Sequence, residues 1–502
     1  MKVPFKRILI ANRGEIAVRV IRACREMGVE ACVVYSDADR LSLHVLMADR
    51  AWPLGDPVSK HSYLDIDKIL HAAEAMGCEA IHPGYGFLAE NPEFARRVEE
   101  AGIAFVGPTG DCIAALGDKT AARQAARNAG VPVVPGAMTR VSPAEAERVA
   151  EEIGYPVLLK AAAGGGGKGM RIVRGREDLA EAFRTASSEA GAAFADASIY
   201  IEKFLENPHH IEVQVLFDNH GHGVYLGERE CSVQRRYQKV IEETPSPFIN
   251  DDVRTRMGEL AVRLAGSVGY RNAGTVEFLV DADRNFYFLE TNTRLQVEHP
   301  VTEMVTSIDL VKEQLRLAAG QRLGYGQSAI QPRGHSIECR IYAEDVENGF
   351  MPSPGRIVRL VQPSGGPGVR RDSGVYEGFT VPIYYDPLLA KLVTWGKDRS
   401  EAIDRMRRAL HEYHVTGIKT TIPLAQMVLS NADFLAGSYS TSLLDHLTVR
   451  RRDGQHMEEI ALAALAVRLL HERLTRTGLT TRRVPTMSPW KRFYRAEAMR
   501  KR

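Results

Sequence analysis

The segment that most restricts the fold is 157–173, "VLLKAAAGGGGKGMRIV", two short apolar runs joined by a glycine-rich stretch. Such runs on either side predict strand, loop and strand. Glycines permit positive φ and let backbone N–H groups close on a phosphate. The GxxxxGK[ST] spacing of a Walker A loop is missing and no helix is expected next, so a P-loop is excluded. Gly164, Gly165, Gly166, Gly167, Lys168 and Gly169 read instead as a lid over a triphosphate, with Lys160 on the preceding strand and Lys119 upstream. The plain alternative is a surface hairpin.

The flanks extend this reading. At roughly 100–200 residues per domain, a chain of 502 residues suggests about three domains. Residues 1–117 alternate strand and helix, as in "RILIANRGEIAVRVIRACREMGVEACVVYS", and predict a parallel sheet. Residues 118–330 open with a helix at 118–129 and continue as an α+β region, with a lid over about 135–205 and a hairpin turning near Asp281–Asn285. Residues 331–449 form a third domain of short strands and a helix near 399–412, and 450–502 a helical, basic extension. The fold class is thus α/β and α+β. In the extension, apolar residues at Ile460, Ala463, Ala464, Val467, Leu470 and Leu474 keep helical spacing.

No apolar run approaches the roughly 20 residues of a membrane helix. The strand expected at Ile8–Ala11 leaves no room for a signal peptide. Six scattered cysteines without metal spacing fit reduced thiols and a cytoplasmic protein. From Arg450 onward there are 14 Lys/Arg and 5 Asp/Glu, so the tail is +9 and the body −7 against a total of +2. That tail charge suits nucleic acid, but nothing else in the chain does, so neither nucleic acid nor membrane is an expected partner.

Polar residues on the expected strands carry the chemistry. Glu290 and Asn292 are two apart and share a face, and Glu277 on the other hairpin strand can join them. Three hard oxygen donors beside a phosphate loop suit Mg²⁺. "RLQVEHP" follows, with Arg294 able to grip a small oxyanion and Glu298 able to take a proton. "ECSVQRRYQK" alternates so that Gln234 and Lys239 point inward together. Arg340 in "ECRIYAED" is weaker, and pairing with Glu344 or Asp345 is its plain reading.

Nine segments in register closely resemble the biotin carboxylase family of the ATP-grasp superfamily: "ANRGEIA", "HPGYGFLAEN", "GDK", "KAAAGGGGKGM", "EKFLENPHHIEVQV", "ERECSVQRRYQK", "ETNTRLQVEHPVTE", "ECRIYAED" and "YYDPLLAKL". The resemblance spans residues 7 to about 448. It implies an N-terminal parallel-sheet (pre-ATP-grasp) domain, an ATP-grasp domain with its glycine-rich lid, and a C-terminal biotin carboxylase domain. It implies that Lys119 and Lys160 bind nucleotide phosphates beneath the Gly165, Gly166 and Gly167 loop. Glu202 and Lys203 fall in the adenine-holding stretch, with His210 and Gln234 toward ribose and phosphates. Glu277, Glu290 and Asn292 are the implied ligands of Mg²⁺ or Mn²⁺. Lys239, Arg294, Gln296 and Val297 are the implied bicarbonate site, Glu298 the base and Arg340 the group that stabilises the biotin enolate.

The implied activity is ATP- and bicarbonate-dependent carboxylation of biotin on a separate biotin carboxyl carrier protein, through carboxyphosphate. No "AMKM"-like biotinylation site and no transferase-sized region are present. Carboxyltransferase subunits are therefore expected, with acyl-CoA ahead of pyruvate as final acceptor, and the resemblance implies a homodimer. The extension, with "SPWKRFYR", loosely resembles segments following the carboxylase domain in some acyl-CoA carboxylase α chains, and either docks those partners or packs on the chain itself. Tyr237 departs from the His or Asn of most relatives, and Ala163 stands where the glycine run usually begins earlier. Two alternatives remain: another bicarbonate-using ATP-grasp ligase, or a catalytically silent scaffold.

Overall fold

The computed structural model describes residues 3–137, 140–161, 170–194, 197–447 and 465–468. The chain divides into two units, 1–448 and 449–502. In the second, the described residues 465–468 are helical. The rest of the expected 457–474 helix and the aromatic end lie outside the described residues.

The first unit begins with a parallel sheet. Its strands are β1 (Arg7–Ile10), β2 (Glu30–Ser36), β3 (Arg50–Gly55), β4 (Ala80–His82) and β5 (Ala104–Phe105), in the order β3-β2-β1-β4-β5. Alternation splits its apolar residues between two cores: Ile8 and Ile10 pack into one, Leu9 into the other. Helix α1 (Gly14–Met27) leaves β1 and stops at Gly28, whose φ of 72° is a left-handed conformation that glycine adopts without strain.

The lid is a three-stranded antiparallel sheet. β6 (Val157–Ala161) lies between β7 (Arg171–Val173) and β8 (Ile199–Lys203). The two strands expected within 157–173 are β6 and β7, while 162–169, with Ala163, Gly165, Gly166, Gly167 and Lys168, lie outside the described residues. The expected helix is α2 (Lys119–Asn128), capped by the Asp118 side chain.

The body is an eight-stranded antiparallel sheet. It contains β9 (His209–Phe217), β10 (Gly223–Arg235), β11 (Gln238–Thr244), β12 (Asn272–Val280), β13 (Phe286–Asn292), β14 (His335–Tyr342), β15 (Val369–Ser373) and β16 (Leu388–Gly396). Their order is β13-β12-β9-β10-β11-β14-β16-β15. Hydrogen bonds between β11 and β14 join residues before 330 and after 331 in one sheet.

Polarity tells the faces of this sheet apart. On β9, Ile211, Val213 and Val215 enter a core with the helix Asp251–Ser267, while His210, Glu212 and Gln214 line the other face. All six are nevertheless buried, so those polar groups need partners within the protein.

Candidate active site

The polar face of β9, β10, β11, β12 and β14 meets the loop 293–298 that leads into α3 (His299–Thr306). Lys239 stands at its centre. Its Nζ lies 2.6 Å from Glu212 Oε2, 2.7 Å from Glu298 Oε1 and 3.1 Å from Glu277 Oε1. Burial alone would lower its pKa, but the surrounding anions hold it well above the ordinary lysine value.

Glu298 is bound on both oxygens, by Lys239 and by Arg340 Nη2 at 2.9 Å from Oε2. Burial pushes its pKa up, but the charges of Lys239, Arg340 and Arg229 outweigh this and hold it well below the usual carboxylate range. It is therefore an ionised carboxylate at neutral pH. Arg340 Nε donates to Glu242 Oε1 at 2.6 Å. The alternative partners Glu344 and Asp345 are not used: Asp345 instead accepts from the backbone of Glu347 and Asn348 in a turn. The cause is strand pairing, which sets Arg340 against β11.

Glu277 and Glu290 are cross-strand neighbours, and Asn292 lies opposite Thr275. Asn292 Nδ2 and Gln296 Nε2 donate to Glu277 Oε1 at 2.8 and 2.6 Å, and His210 Nε2 lies 2.7 Å from Glu277 Oε2. Burial pushes the Glu277 pKa up, yet Lys239 and His210 pull it well below the usual value. Glu290 is the exposed member. The surrounding protein and then the like charge of Glu277 push its pKa up, with Lys119 among the charges opposing. Two carboxylates that repel each other, with an amide beside them, fit a divalent cation. Two further acidic groups, His210/Glu212/Glu277 and Glu212/Cys231/Glu298, bring ligand atoms within 4.8 Å. Lys239 already sits against Glu212 in both.

Arg294 links this cluster to Glu90. Its Nη2 donates to Asn292 Oδ1 at 2.7 Å, and its Nε to Glu90 Oε2 at 2.7 Å. The Val297 carbonyl accepts from Lys391 Nζ at 2.7 Å. Gln234 lies opposite Lys239 in the β10–β11 register, its Oε1 3.4 Å from His210 Nδ1. The two-residue turn joining those strands holds Arg236 and Tyr237 at φ of 49° and 66°, the left-handed pair required in the tightest hairpins. Tyr237 is 68% exposed there. An Asn at that position would meet the same φ with less strain.

On the lid side, Lys160 forms an ion pair with Glu202, which also accepts from Arg123 Nη1 at 2.9 Å. Lys119 is exposed at the start of α2. The ammonium of Lys203 is committed elsewhere, to the carbonyls of Gly154 and Tyr155 at 3.1 and 2.8 Å.

Sequence reasoning missed a buried layer beneath these residues. Arg229, 0% exposed, donates to Glu212, to Gln214 at 2.8 Å, to Thr302 at 3.0 Å, to Thr275 at 3.1 Å and to Gln296 at 2.6 Å. Glu242, Glu90 and Lys391 were also missed. The available signal was the polar alternation in "HIEVQV", which places Glu212 on the face of His210.

Comparison with known proteins decides the family. Residues 4–113 match the biotin carboxylase N-terminal domain, 118–325 the ATP-binding domain of carbamoyl-phosphate synthase L chain, and 338–446 the biotin carboxylase C-terminal domain. A biotin carboxylase of a Nostoc species is 52% identical over 444 residues, 88% of this chain and 99% of its own. The chain belongs to the biotin carboxylase family. It has the three-domain architecture of that family and is an ATP-dependent ligase.

One of the pyruvate carboxylase subunits of Methanothermobacter thermautotrophicus is 50% identical over 485 residues, 96% of this chain and 97% of its own. Among solved structures, the biotin carboxylase domain dimer of Hydrogenobacter thermophilus 2-oxoglutarate carboxylase, in complex with MgADP, ADP and bicarbonate, is similar with TM-score 0.83 and 48% identity, over 89% of this chain and 98% of that one. Among the described residues, no helix is long and apolar enough to cross a membrane.

Proposed function

We propose that this chain carries out the first half-reaction of a biotin-dependent carboxylase, transferring a carboxyl group to biotin on a separate carrier protein. The observation that carries this reading is Glu298, ionised between Lys239 and Arg340 and next to a loop that presents Arg294 and Gln296.

The residues divide the work. Bicarbonate lies against Lys239, Arg294, Gln296 and the Val297 backbone, and Glu298 takes its proton. Glu298 is a weak base while two cations hold it. An arriving anion shares those cations and raises its proton affinity. The bicarbonate oxygen attacks the γ-phosphorus of ATP and ADP leaves. Carboxyphosphate then breaks to CO₂ and phosphate, a phosphate oxygen takes the ureido N–H proton of biotin, and the resulting anion attacks CO₂. Arg340 stabilises that anion. Lys119, Lys160, Glu202, His210, Gln234, the backbone of Lys203 and the Gly165, Gly166 and Gly167 loop form the nucleotide side. Glu277, Glu290 and Asn292 would hold Mg²⁺ or Mn²⁺, which supplies charge neutralisation at the phosphates.

A homodimer is part of this proposal, in line with the dimeric domain of the Hydrogenobacter structure. The final acceptor is a finer step. The matches to the pyruvate carboxylase subunit and to a propionyl-CoA carboxylase alpha chain of Ruegeria pomeroyi cover 96% and 92% of the chain, so both reach beyond residue 448; the longer one favours pyruvate, with acyl-CoA as the alternative.

The test is ADP release by the purified chain with Mg²⁺. Turnover that needs bicarbonate and rises with biotin or biotinylated carrier is expected. ATP turnover indifferent to both would overturn the proposal. Assay of the reconstituted complex with pyruvate, acetyl-CoA and propionyl-CoA decides the acceptor.

A further inference from the structure

Two buried carboxyls beside Arg340 have no part in the steps above. Glu242 on β11 and Glu338 on β14 are direct cross-strand partners, each 0% exposed. Such partners project from one face with Cβ atoms about 5 Å apart. Arg340, two residues after Glu338, shares that face. Glu242 Oε1 accepts from Arg340 Nε, but among the described residues Glu242 Oε2 and both Glu338 oxygens have no hydrogen-bond partner. A buried carboxyl left in this way is costly unless it is neutral or bonded.

The charges facing Glu338 leave no cation to spare among the described residues. On its own strand, Arg340 is divided between Glu242 and Glu298, and its Nη1 donates to Tyr342 Oη at 3.4 Å. On β16, Lys391 is held by Val297 O at 2.7 Å and Glu15 Oε1 at 3.0 Å. At the start of α3, His299 is kept neutral by burial and then by the cations around it. From the N-terminal domain, Tyr85 hydrogen bonds to Glu15. Two adjacent carboxyls competing for one guanidinium share a proton rather than both ionise.

We propose that Glu338 stays a protonated carboxylic acid and donates to Glu242 Oε2, so that the pair acts as the clamp that positions Arg340. Burial pushes Glu338 well above the ordinary glutamate value. Burial, with the charge of Glu298 adding and Arg340 opposing, brings Glu242 to about 7. The clamp has a use in the reaction. When Glu298 takes a proton its pull on Arg340 weakens, and Nη2 becomes available to the biotin anion. The bond from Nε to Glu242 still fixes the guanidinium. Glu242 and Glu338 are positioning residues, and this role rests on the functional reading given above.

The test pairs infrared spectroscopy with kinetics on the full chain. Above neutral pH, a protonated-carboxyl band is expected in the wild type and absent in Glu338→Gln. Glu338→Ala should raise the biotin KM about tenfold, with the ATP KM unchanged. Glu338→Gln, a neutral donor of the same length, should recover most of that loss. No band lost from Glu338→Gln, or a Gln variant as impaired as Ala, would overturn the clamp. If Glu338→Ala does not fold, the infrared comparison with Glu338→Gln decides alone. A band that behaves as stated, in a chain with no biotin-dependent turnover, supports the protonated acid and overturns the functional reading instead.

Discussion

Arg340 and Glu298 are 42 residues apart in sequence, and Arg340 Nη2 lies 2.9 Å from Glu298 Oε2. Lys239 holds the other oxygen at 2.7 Å. Cations on both sides keep this carboxylate ionised and in place although it is only 2% exposed.

Glu298→Gln keeps the shape and removes the proton acceptor. Bicarbonate-dependent ADP release should fall about 100- to 10,000-fold, the usual range for losing a general base. Nucleotide affinity, read by calorimetric titration, should change little. A variant retaining more than a tenth of wild-type turnover would show that another group takes the proton.

Much of this was legible, and the rest was hidden for a definite reason. The expectations for β6, β7, α2 and the hairpin rest on local patterns of glycine, apolar runs and turn residues, which act over a few residues. Glu298, Arg294 and Asn292 also cluster locally. The partners of Arg340 do not: Glu242 is 98 residues away and is brought alongside by β11–β14 pairing. Arg229 and Glu212 were passed over because charged residues on strands usually face water. Here both sit at 0% exposure, because α3 and the loop 293–298 that leads into it cover a face that would otherwise be wet, with Thr302 and Gln296 both bonded to Arg229.

Arg229→Leu tests that hidden layer. It leaves Glu212 buried with one of its two cations gone. Removing one partner of a buried pair costs about 3–5 kcal/mol. Denaturant unfolding of the variant should show a loss of that size, and a change below about 1 kcal/mol would mean the layer relaxes freely.

Glu290→Gln tests the cation site. The variant removes the exposed carboxylate opposite Glu277. The Mg²⁺ concentration for half-maximal turnover should rise about tenfold, since divalent sites are tuned by carboxylate count. Chelation should abolish ADP release in both proteins, and excess Mg²⁺ should restore it in both. An unchanged Mg²⁺ requirement would remove Glu290 from the ligand set.

Glu242 and Glu243 are adjacent on β11, face opposite sides of the sheet, and shift in opposite directions. Glu242 is raised to about 7. Glu243 accepts from Arg399 Nε at 2.7 Å and lies 2.6 Å from His335 Nε2. Burial pushes its pKa up, but these partners bring it down to about 2. A carboxylate with a depressed folded pKa adds stability above its unfolded value of about 4.3, and that stability is lost as pH falls toward the folded value. The expected contribution at neutral pH is about 3 kcal/mol. Denaturant unfolding measured from neutrality down to about pH 3 should show the wild type losing part of this. Glu243→Gln should start lower and decline less steeply over the same interval. Parallel curves for the two proteins would mean that Glu243 contributes nothing to acid sensitivity.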